Sequence, residues 1–166
     1  MDQVELDLAR RLGEALLERH WRCAVAESCT GGLVAAAITE IAGSSKWFDR
    51  GFVTYTNQSK TDLLGVPQKK LSSEGAVSES VVRAMAEGAL AASQADVTVA
   101  ISGIAGPDGA SADKPIGLVW FAWSLRQGKT YTASYCFNGD RSAVRLQAVS
   151  VALEGILSTT TPSPYI

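Results

Sequence analysis

Histidine and cysteine are scarce in this sequence, which has one histidine and three cysteines among 166 residues. The cysteines, Cys23, Cys29 and Cys136, are odd in number and include no C-x-x-C pair, which argues against a disulfide framework and against a zinc cluster. Cys23 and Cys136 lie in strand-like runs and are expected to be small buried hydrophobic residues. Because His20 lies outside every candidate motif, a Ser-His-Asp or Cys-His relay has little support. A nucleophile in this chain therefore needs a base other than imidazole.

The sequence also lacks an excess of one charge and lacks long apolar runs. Lysine and arginine number 15 against 17 acidic residues, for a formal net charge of −2. We therefore expect no nucleic-acid partner for the domain as a whole, although a local basic pocket is allowed. No apolar segment approaches the roughly 20 residues that span a bilayer, and the acidic N-terminus lacks the layout of a secretory signal. These absences predict no membrane partner and a cytoplasmic location.

What the sequence does contain is a succession of helix and strand patterns. Apolar residues at helical spacing predict helices, and short apolar or β-branched runs predict strands. A short helical segment ending at Leu64 is also expected, followed by a polar loop over 68–74. The predicted helices are 3–19, 33–41, 78–93 and 140–157, and the predicted strands are 23–26, 51–55, 97–101, 116–125 and 130–137.

The alternation of helices and strands predicts an α/β fold. Its expected form is a three-layer α/β/α sandwich around a mixed, mainly parallel sheet, with the 116–137 hairpin as an antiparallel edge. Because neither an internal repeat nor a linker is visible, we expect one domain over 1–158. The segment 159–166 contains three threonines and two prolines and is predicted to be a disordered tail.

The segment A-E-S-C-T-G-G at 26–32 joins a predicted strand directly to a predicted helix. Such a junction leaves the first N–H groups of the helix unpaired and adds the positive end of its dipole. The hydroxyl of Ser28 is therefore expected where an anion or a developing oxyanion is stabilised. The same position is expected to lower the pKa of the Cys29 thiol and make it reactive. The alternative is that Ser28 and Thr30 are ordinary helix caps, and this segment alone leaves both interpretations open.

Two further loops follow the ends of predicted strands, where open α/β sheets bind ligands. The loop over 54–60 supplies the phenol of Tyr55, the amide of Asn57 and the amine of Lys60. Each has a structural alternative, because strand tyrosines commonly pack in cores and most lysines are solvated. The loop therefore offers candidate catalytic groups without proving a site.

The third loop, over 102–109, begins with Ser102 and is rich in glycine. It lacks the spacing of a P-loop and that of a dinucleotide-binding motif, so its glycine content is a weak signal. Arg141 and Arg145 lie four residues apart at the start of the last predicted helix. They are either solvated or able to reach a phosphate.

Five stretches of the sequence together resemble the CinA C-terminal domain family. They are A-E-S-C-T-G-G at 26–32, V-T-Y-x-N-x-x-K at 53–60, G-A-V-S at 75–78, S-G-I-A-G-P-D-G at 102–109 and K-P-x-G at 114–117. These stretches occur in the family's order and cover nearly the whole chain. The resemblance implies a five-stranded mixed sheet. We expect this chain to lack the N-terminal domain of longer members. The resemblance then also implies the activity of stand-alone members, which hydrolyse nicotinamide mononucleotide to nicotinate mononucleotide and ammonia.

The resemblance also implies roles for individual residues, with Ser28 as the nucleophile. Our hypothesis for the base is Lys60 assisted by Tyr55, which requires burial or a nearby positive charge to lower the pKa of the amine. N–H groups near Thr30 either stabilise the oxyanion or hold the phosphate, and no cofactor or metal is expected. The candidate substrate contacts are Thr30, Gly31, Gly32, Asn57, Ser102, Gly103, Ala105, Gly106 and Arg141.

An alternative function is a non-catalytic nucleotide-binding or regulatory module, since the family's name refers to natural competence and DNA damage. The set of Ser28, Tyr55 and Lys60 favours catalysis over binding alone. A homo-oligomer is also expected. The fourth predicted strand carries the aromatic residues Trp120, Phe121 and Trp123, which suit either a subunit contact or the core, and the sequence leaves both open.

Overall fold

A five-stranded sheet forms the centre of the computed structural model, which describes residues 1–161. Neighbouring strands in the sheet follow the order β2-β1-β3-β4-β5. β1 pairs in parallel with β2 and β3, whereas β4 pairs antiparallel with β3 and β5. The predicted mixed sheet with an antiparallel hairpin edge is confirmed. The strands are β1 (Cys23–Glu27), β2 (Phe48–Val53), β3 (Val97–Gly103), β4 (Leu118–Leu125) and β5 (Thr130–Cys136).

Helices cover both faces of this sheet, which confirms the predicted three layers. The buried residues of the first, second and last helices form one core cluster, and those of the three middle helices form another. None of these helices combines the length and the apolar character that crossing a bilayer requires. Within residues 1–161 the α-helices are α1 (Gln3–Glu18), α2 (Leu33–Thr39), α3 (Asn57–Leu64), α4 (Gln68–Glu74), α5 (Glu79–Ala91) and α6 (Arg141–Thr160).

The central strands are buried on both faces because each face carries its own core. On β1, Val25 belongs to the core beneath α1, α2 and α6, and Ala26 to the core beneath α3, α4 and α5. Every residue of β1 is buried, as a continuous apolar run predicts. Phe121 and Trp123 of β4 lie in the larger core, so the core alternative holds for these two. The homo-oligomer stays a prediction.

In the first half of the chain, two elements differ from the prediction by more than two residues. Residues 68–74 form α4 instead of a loop, because Pro67 precedes a turn that buries Leu71 in the core of α5. A segment with a single apolar residue offers no periodicity from which a helix could be predicted. β2 starts at Phe48 rather than at residue 51, since it is an edge strand where Arg50 is exposed and the Asp49 carboxylate accepts hydrogen bonds from the Gln94 N–H and from Arg50.

The C-terminal end of the chain also differs from expectation. The last helix was predicted over 140–157, but α6 continues to Thr160, which is buried. Helix therefore occupies the first residues of the predicted tail 159–166. The rest of that prediction, for 162–166, lies outside the described residues. Cys23 is buried as predicted, whereas Cys136 is exposed because β5 forms the other edge of the sheet.

Candidate active site

Three hydroxyl side chains lie side by side at the carboxyl edge of the parallel strands. Glu27 of β1 pairs with one residue on β2 and with one on β3. The residues that come next in the chain after these three paired residues are Ser28, Thr54 and Ser102. All three are buried. The hydroxyl oxygens of Thr54 and Ser102 have no hydrogen-bond partner within residues 1–161. Buried hydroxyls of this kind are costly unless a ligand or water satisfies them.

Lys60 of α3 approaches Ser28 from the face of the sheet that α3, α4 and α5 cover. Its Nζ lies 3.0 Å from Ser28 Oγ, 2.7 Å from the carbonyl oxygen of Thr54 and 3.3 Å from that of Tyr55. The side chain is 1% exposed. Burial lowers the pKa of the Lys60 amine to about 8, because the ammonium loses its hydration. The lowered pKa that Lys60 requires in order to act as a base is therefore present.

The surroundings of Lys60 suit a free amine that acts on Ser28. A free amine has two N–H groups and one lone pair. The carbonyl oxygens of Thr54 and Tyr55 accept the two N–H groups, and the lone pair then faces the Ser28 hydroxyl. In the ammonium form the third N–H donates to Ser28 Oγ across the same contact. The arrangement can thus pass a proton between the two side chains without moving either.

The first turn of α2 is closed to ligands, contrary to the sequence-based expectation. The fully buried carboxylate of Glu27 accepts hydrogen bonds from the N–H groups of Val34 at 2.9 Å and Ala35 at 3.1 Å. The N–H of Leu33 donates to the carbonyl oxygen of Thr30. The expectation of unpaired helix N–H groups is wrong because Glu27 caps α2. A carboxylate inside an apolar strand was the available signal.

The free N–H groups belong instead to the loop that follows Ser28. A turn is closed by the N–H of Gly31, which donates to the carbonyl oxygen of Ser28 at 3.0 Å. The N–H groups of Cys29, Thr30 and Gly32 have no acceptor on another residue within 1–161. Gly31 and Gly32 have φ values of 59° and 103°, which favour glycine. These N–H groups are the candidate oxyanion donors.

Arg145 holds this loop from α6. Its Nε donates to the carbonyl oxygen of Cys29 at 3.0 Å and its Nη2 donates to that of Thr30 at 3.2 Å. The sequence left Arg145 either solvated or bound to phosphate, and the structure places it on the backbone of the Ser28 loop. A single arginine at helical spacing carried no signal for that contact.

Cys29 is not the reactive thiol that its position predicted. The side chain is buried, and burial raises the pKa of the thiol to about 11. The nearby charge of Arg145 favours the thiolate, but the loss of hydration outweighs that effect. The prediction is wrong because the residue points into the core.

Tyr55 and Arg141 form a second group, at the rim of the site. The Tyr55 side chain is 57% exposed, and its hydroxyl accepts a hydrogen bond from Arg141 Nη2 at 3.0 Å. Arg141 Nη1 donates to the carbonyl oxygen of Gly106 at 2.8 Å. Arg141 thus joins two of the predicted site loops. The phenol contacts Arg141, and the contact of Tyr55 with Lys60 is through its backbone carbonyl.

The other predicted contacts have mixed surroundings. Thr30 is fully buried, and its hydroxyl has no partner within residues 1–161. Asn57 is exposed at the start of α3 and lines a shallow groove toward α4. A Cβ on Gly103 would lie 2.6 Å from a methyl carbon of Val119, so packing against β4 explains this glycine. Ala105 is buried in the larger core.

Comparison with known proteins gives consistent results over most of the chain. The profile of the CinA C-terminal domain family matches residues 5–160. A nicotinamide-nucleotide amidohydrolase PncC of Enterobacter agglomerans is 56% identical over 151 residues, which cover 91% of this chain and 92% of that protein. The protein of the same name from Escherichia coli K12 is 54% identical and covers 92% and 93%. The crystal structure of the competence/damage inducible protein CihA from Agrobacterium tumefaciens superposes with a TM-score of 0.95 at 44% identity, covering 97% and 98% of the two chains.

Proposed function

This chain belongs to the CinA C-terminal domain family, and on that premise we propose that it hydrolyses nicotinamide mononucleotide to nicotinate mononucleotide and ammonia. Relatives of 56% and 54% identity carry the name of this amidohydrolase activity. The observation that carries the proposal is the contact of 3.0 Å between Lys60 Nζ and Ser28 Oγ in a buried setting. The reaction would belong to pyridine-nucleotide recycling in the cytoplasm.

Ser28 is the nucleophile of the proposed reaction and Lys60 is its base. The free amine of Lys60 takes the hydroxyl proton as Ser28 Oγ attacks the carboxamide carbon. The carbonyl oxygens of Thr54 and Tyr55 hold the resulting ammonium. This pairing replaces the imidazole that the sequence does not offer.

The tetrahedral intermediate is stabilised by the loop N–H groups, in this proposal those of Cys29 and Thr30. The Lys60 ammonium returns its proton to the leaving nitrogen, and ammonia departs to leave an ester between Ser28 and the nicotinate carbonyl. Lys60 then deprotonates a water that attacks this ester. Nicotinate mononucleotide leaves, and the Ser28 hydroxyl is restored.

Substrate recognition is assigned to groups around the Ser28–Lys60 pair. The guanidinium of Arg141 at the rim suits the 5′-phosphate, with the Tyr55 hydroxyl beside it. The buried Ser102 hydroxyl, which lacks a partner within residues 1–161, suits a polar atom of the carboxamide. We therefore assign Tyr55 to substrate contact rather than to proton transfer.

The test is to incubate the purified protein with nicotinamide mononucleotide and to measure ammonia and nicotinate mononucleotide. Ser28→Ala should lose turnover and retain nucleotide binding by calorimetry. Cys29→Ala is the matched control, since it also removes one heteroatom from the neighbouring residue. Wild-type protein that binds the nucleotide without releasing ammonia would favour the regulatory alternative. Full activity in Ser28→Ala would exclude the serine mechanism.

A further inference from the structure

We infer that Arg145 is a positioning residue that aims the Thr30 N–H at the oxyanion, an inference that rests on the proposed function. Its guanidinium does not need to touch the substrate for this role. Nε and Nη2 donate to the carbonyl oxygens of Cys29 and Thr30 at 3.0 and 3.2 Å. Arg145 thus holds two consecutive peptide groups of the loop that follows the nucleophile.

The direction of the Thr30 N–H follows from the planarity of its peptide bond. In a trans peptide the C=O of one residue and the N–H of the next point in opposite directions. Arg145 lies on α6, which packs on the opposite face of the sheet from α3. The Cys29 carbonyl therefore points toward α6. The Thr30 N–H points away from it, toward the side on which Lys60 meets Ser28.

The hydrogen bond that closes the turn does not restrain the peptide group between Cys29 and Thr30. The hydrogen bond that closes the turn joins the Gly31 N–H to the Ser28 carbonyl, and neither atom belongs to the peptide between Cys29 and Thr30. Rotation of the middle peptide is what distinguishes the two common turn types. Among residues 1–161, Arg145 is the sole hydrogen-bond donor to the Cys29 carbonyl.

The charge of Arg145 adds to its geometric effect. Hydrogen bonds from a guanidinium are stronger than neutral ones, and the two-point contact restricts rotation. A donor at the oxyanion site is effective only if it is aimed before charge develops. Arg145 accordingly acts on the transition state rather than on substrate binding.

The kinetic test compares Arg145→Met with Arg145→Lys. For Arg145→Met we expect kcat to fall about 10- to 100-fold while KM changes less than about threefold, since removal of an oxyanion donor costs about 100- to 1,000-fold. Arg145→Lys, which can hold one carbonyl, should fall between that variant and the wild type. Arg19→Met is the control, because Arg19 also donates to a carbonyl, that of Thr160 at 3.0 Å, but not in this loop.

A second measurement separates positioning from a general structural role. Guanidinium chloride at low concentration should restore part of the kcat of Arg145→Ala, and sodium chloride at equal ionic strength should not. A rise in KM at unchanged kcat would overturn the inference and make Arg145 a substrate contact. Wild-type kcat in folded Arg145→Lys and Arg145→Met would also overturn it. Activity in Ser28→Ala would instead remove the proposed function on which the inference rests.

Discussion

The amine of Lys60 lies 3.0 Å from the hydroxyl oxygen of Ser28, although 32 positions separate the two residues in the chain. The approach depends on the short connection of residues 54–56 between β2 and α3. The Thr56 hydroxyl in this connection accepts a hydrogen bond from the Ser59 N–H and caps the helix. Lys60 in the first turn is thereby directed back over the end of β1. This position over the end of β1 also buries the Lys60 amine, and the burial accounts for its lowered pKa.

Activity should increase with pH through the titration of Lys60. Because the proposed base is the free amine and its pKa is about 8, kcat/KM should fall as the pH drops below that value and level off above it. The profile is measured from about pH 6 to about pH 10, with Lys60→Met expected to be inactive throughout. Constant kcat/KM across this range, or near-normal rates in Lys60→Met, would show that Lys60 is not the base.

Lys60→Met should be more stable than the wild type at neutral pH. The folded-state pKa of about 8 lies below the ordinary value of 10.5, so the unfolded chain binds more protons between these values and stability rises with pH there. Below about pH 8 the buried ammonium destabilises the fold in full. We expect a gain of roughly 1–3 kcal/mol at pH 7 in the free energy of unfolding, after allowing for lost carbonyl contacts.

Urea unfolding at neutral and alkaline pH measures this gain, which should shrink as the pH rises from about 8 toward 10.5. Lys69→Met, at an exposed position, is the control and should change stability little at either pH. A less stable Lys60→Met at neutral pH would show that the carbonyl contacts outweigh the cost of burying the ammonium.

Cys29→Ala should retain most of the activity. The thiol is buried with its pKa raised to about 11, so almost no thiolate is present near neutral pH. Iodoacetamide should correspondingly leave the wild-type rate unchanged, while the exposed Cys136 reacts. Mass spectrometry of the labelled protein locates the modified cysteine. A Cys29→Ala variant that is folded but inactive would show that the nucleophile is the Cys29 thiol.

Glu27→Gln should destabilise the fold. The carboxylate accepts two backbone N–H groups at the start of α2, and an amide has one acceptor oxygen and would place its NH₂ against a donor. We expect a loss of about 1–3 kcal/mol in the free energy of unfolding. Glu40→Gln, exposed at the opposite end of the same helix, is the control and should stay within about 0.5 kcal/mol. Equal effects in the two variants would contradict the cap.

Arg141→Met should weaken substrate binding in a way that depends on the phosphate. If the guanidinium contacts the 5′-phosphate, KM for nicotinamide mononucleotide should rise about tenfold or more, as expected for a charge-assisted hydrogen bond. The rate with nicotinamide riboside, which lacks the phosphate, should be nearly the same in variant and wild type. A parallel loss with both substrates would place the phosphate elsewhere. Initial rates of ammonia release measure both.

The layered fold was predictable from the sequence because its signals are local. β1 and β3 are nearly continuous apolar runs, and the major helices show apolar spacing that needs no knowledge of the neighbours. α4 escaped prediction because Leu71 is its single apolar residue. The start of β2 was predicted too late in the chain because an edge strand tolerates Asp49 and Arg50, which are atypical of strands.

By itself the sequence determined which reactive groups are present and that their loops follow the ends of neighbouring strands, which is why Ser28 and Lys60 were candidates together. Tertiary structure alone decided which of those groups are available. Glu27 occupies the N–H groups of α2 that the sequence left open, and Arg145 holds the loop from a helix more than a hundred residues away. Burial raises the pKa of the Cys29 thiol and lowers the pKa of the Lys60 amine. Protonation and hydrogen-bond availability depend on hydration and on partners from distant segments, and local sequence carries neither.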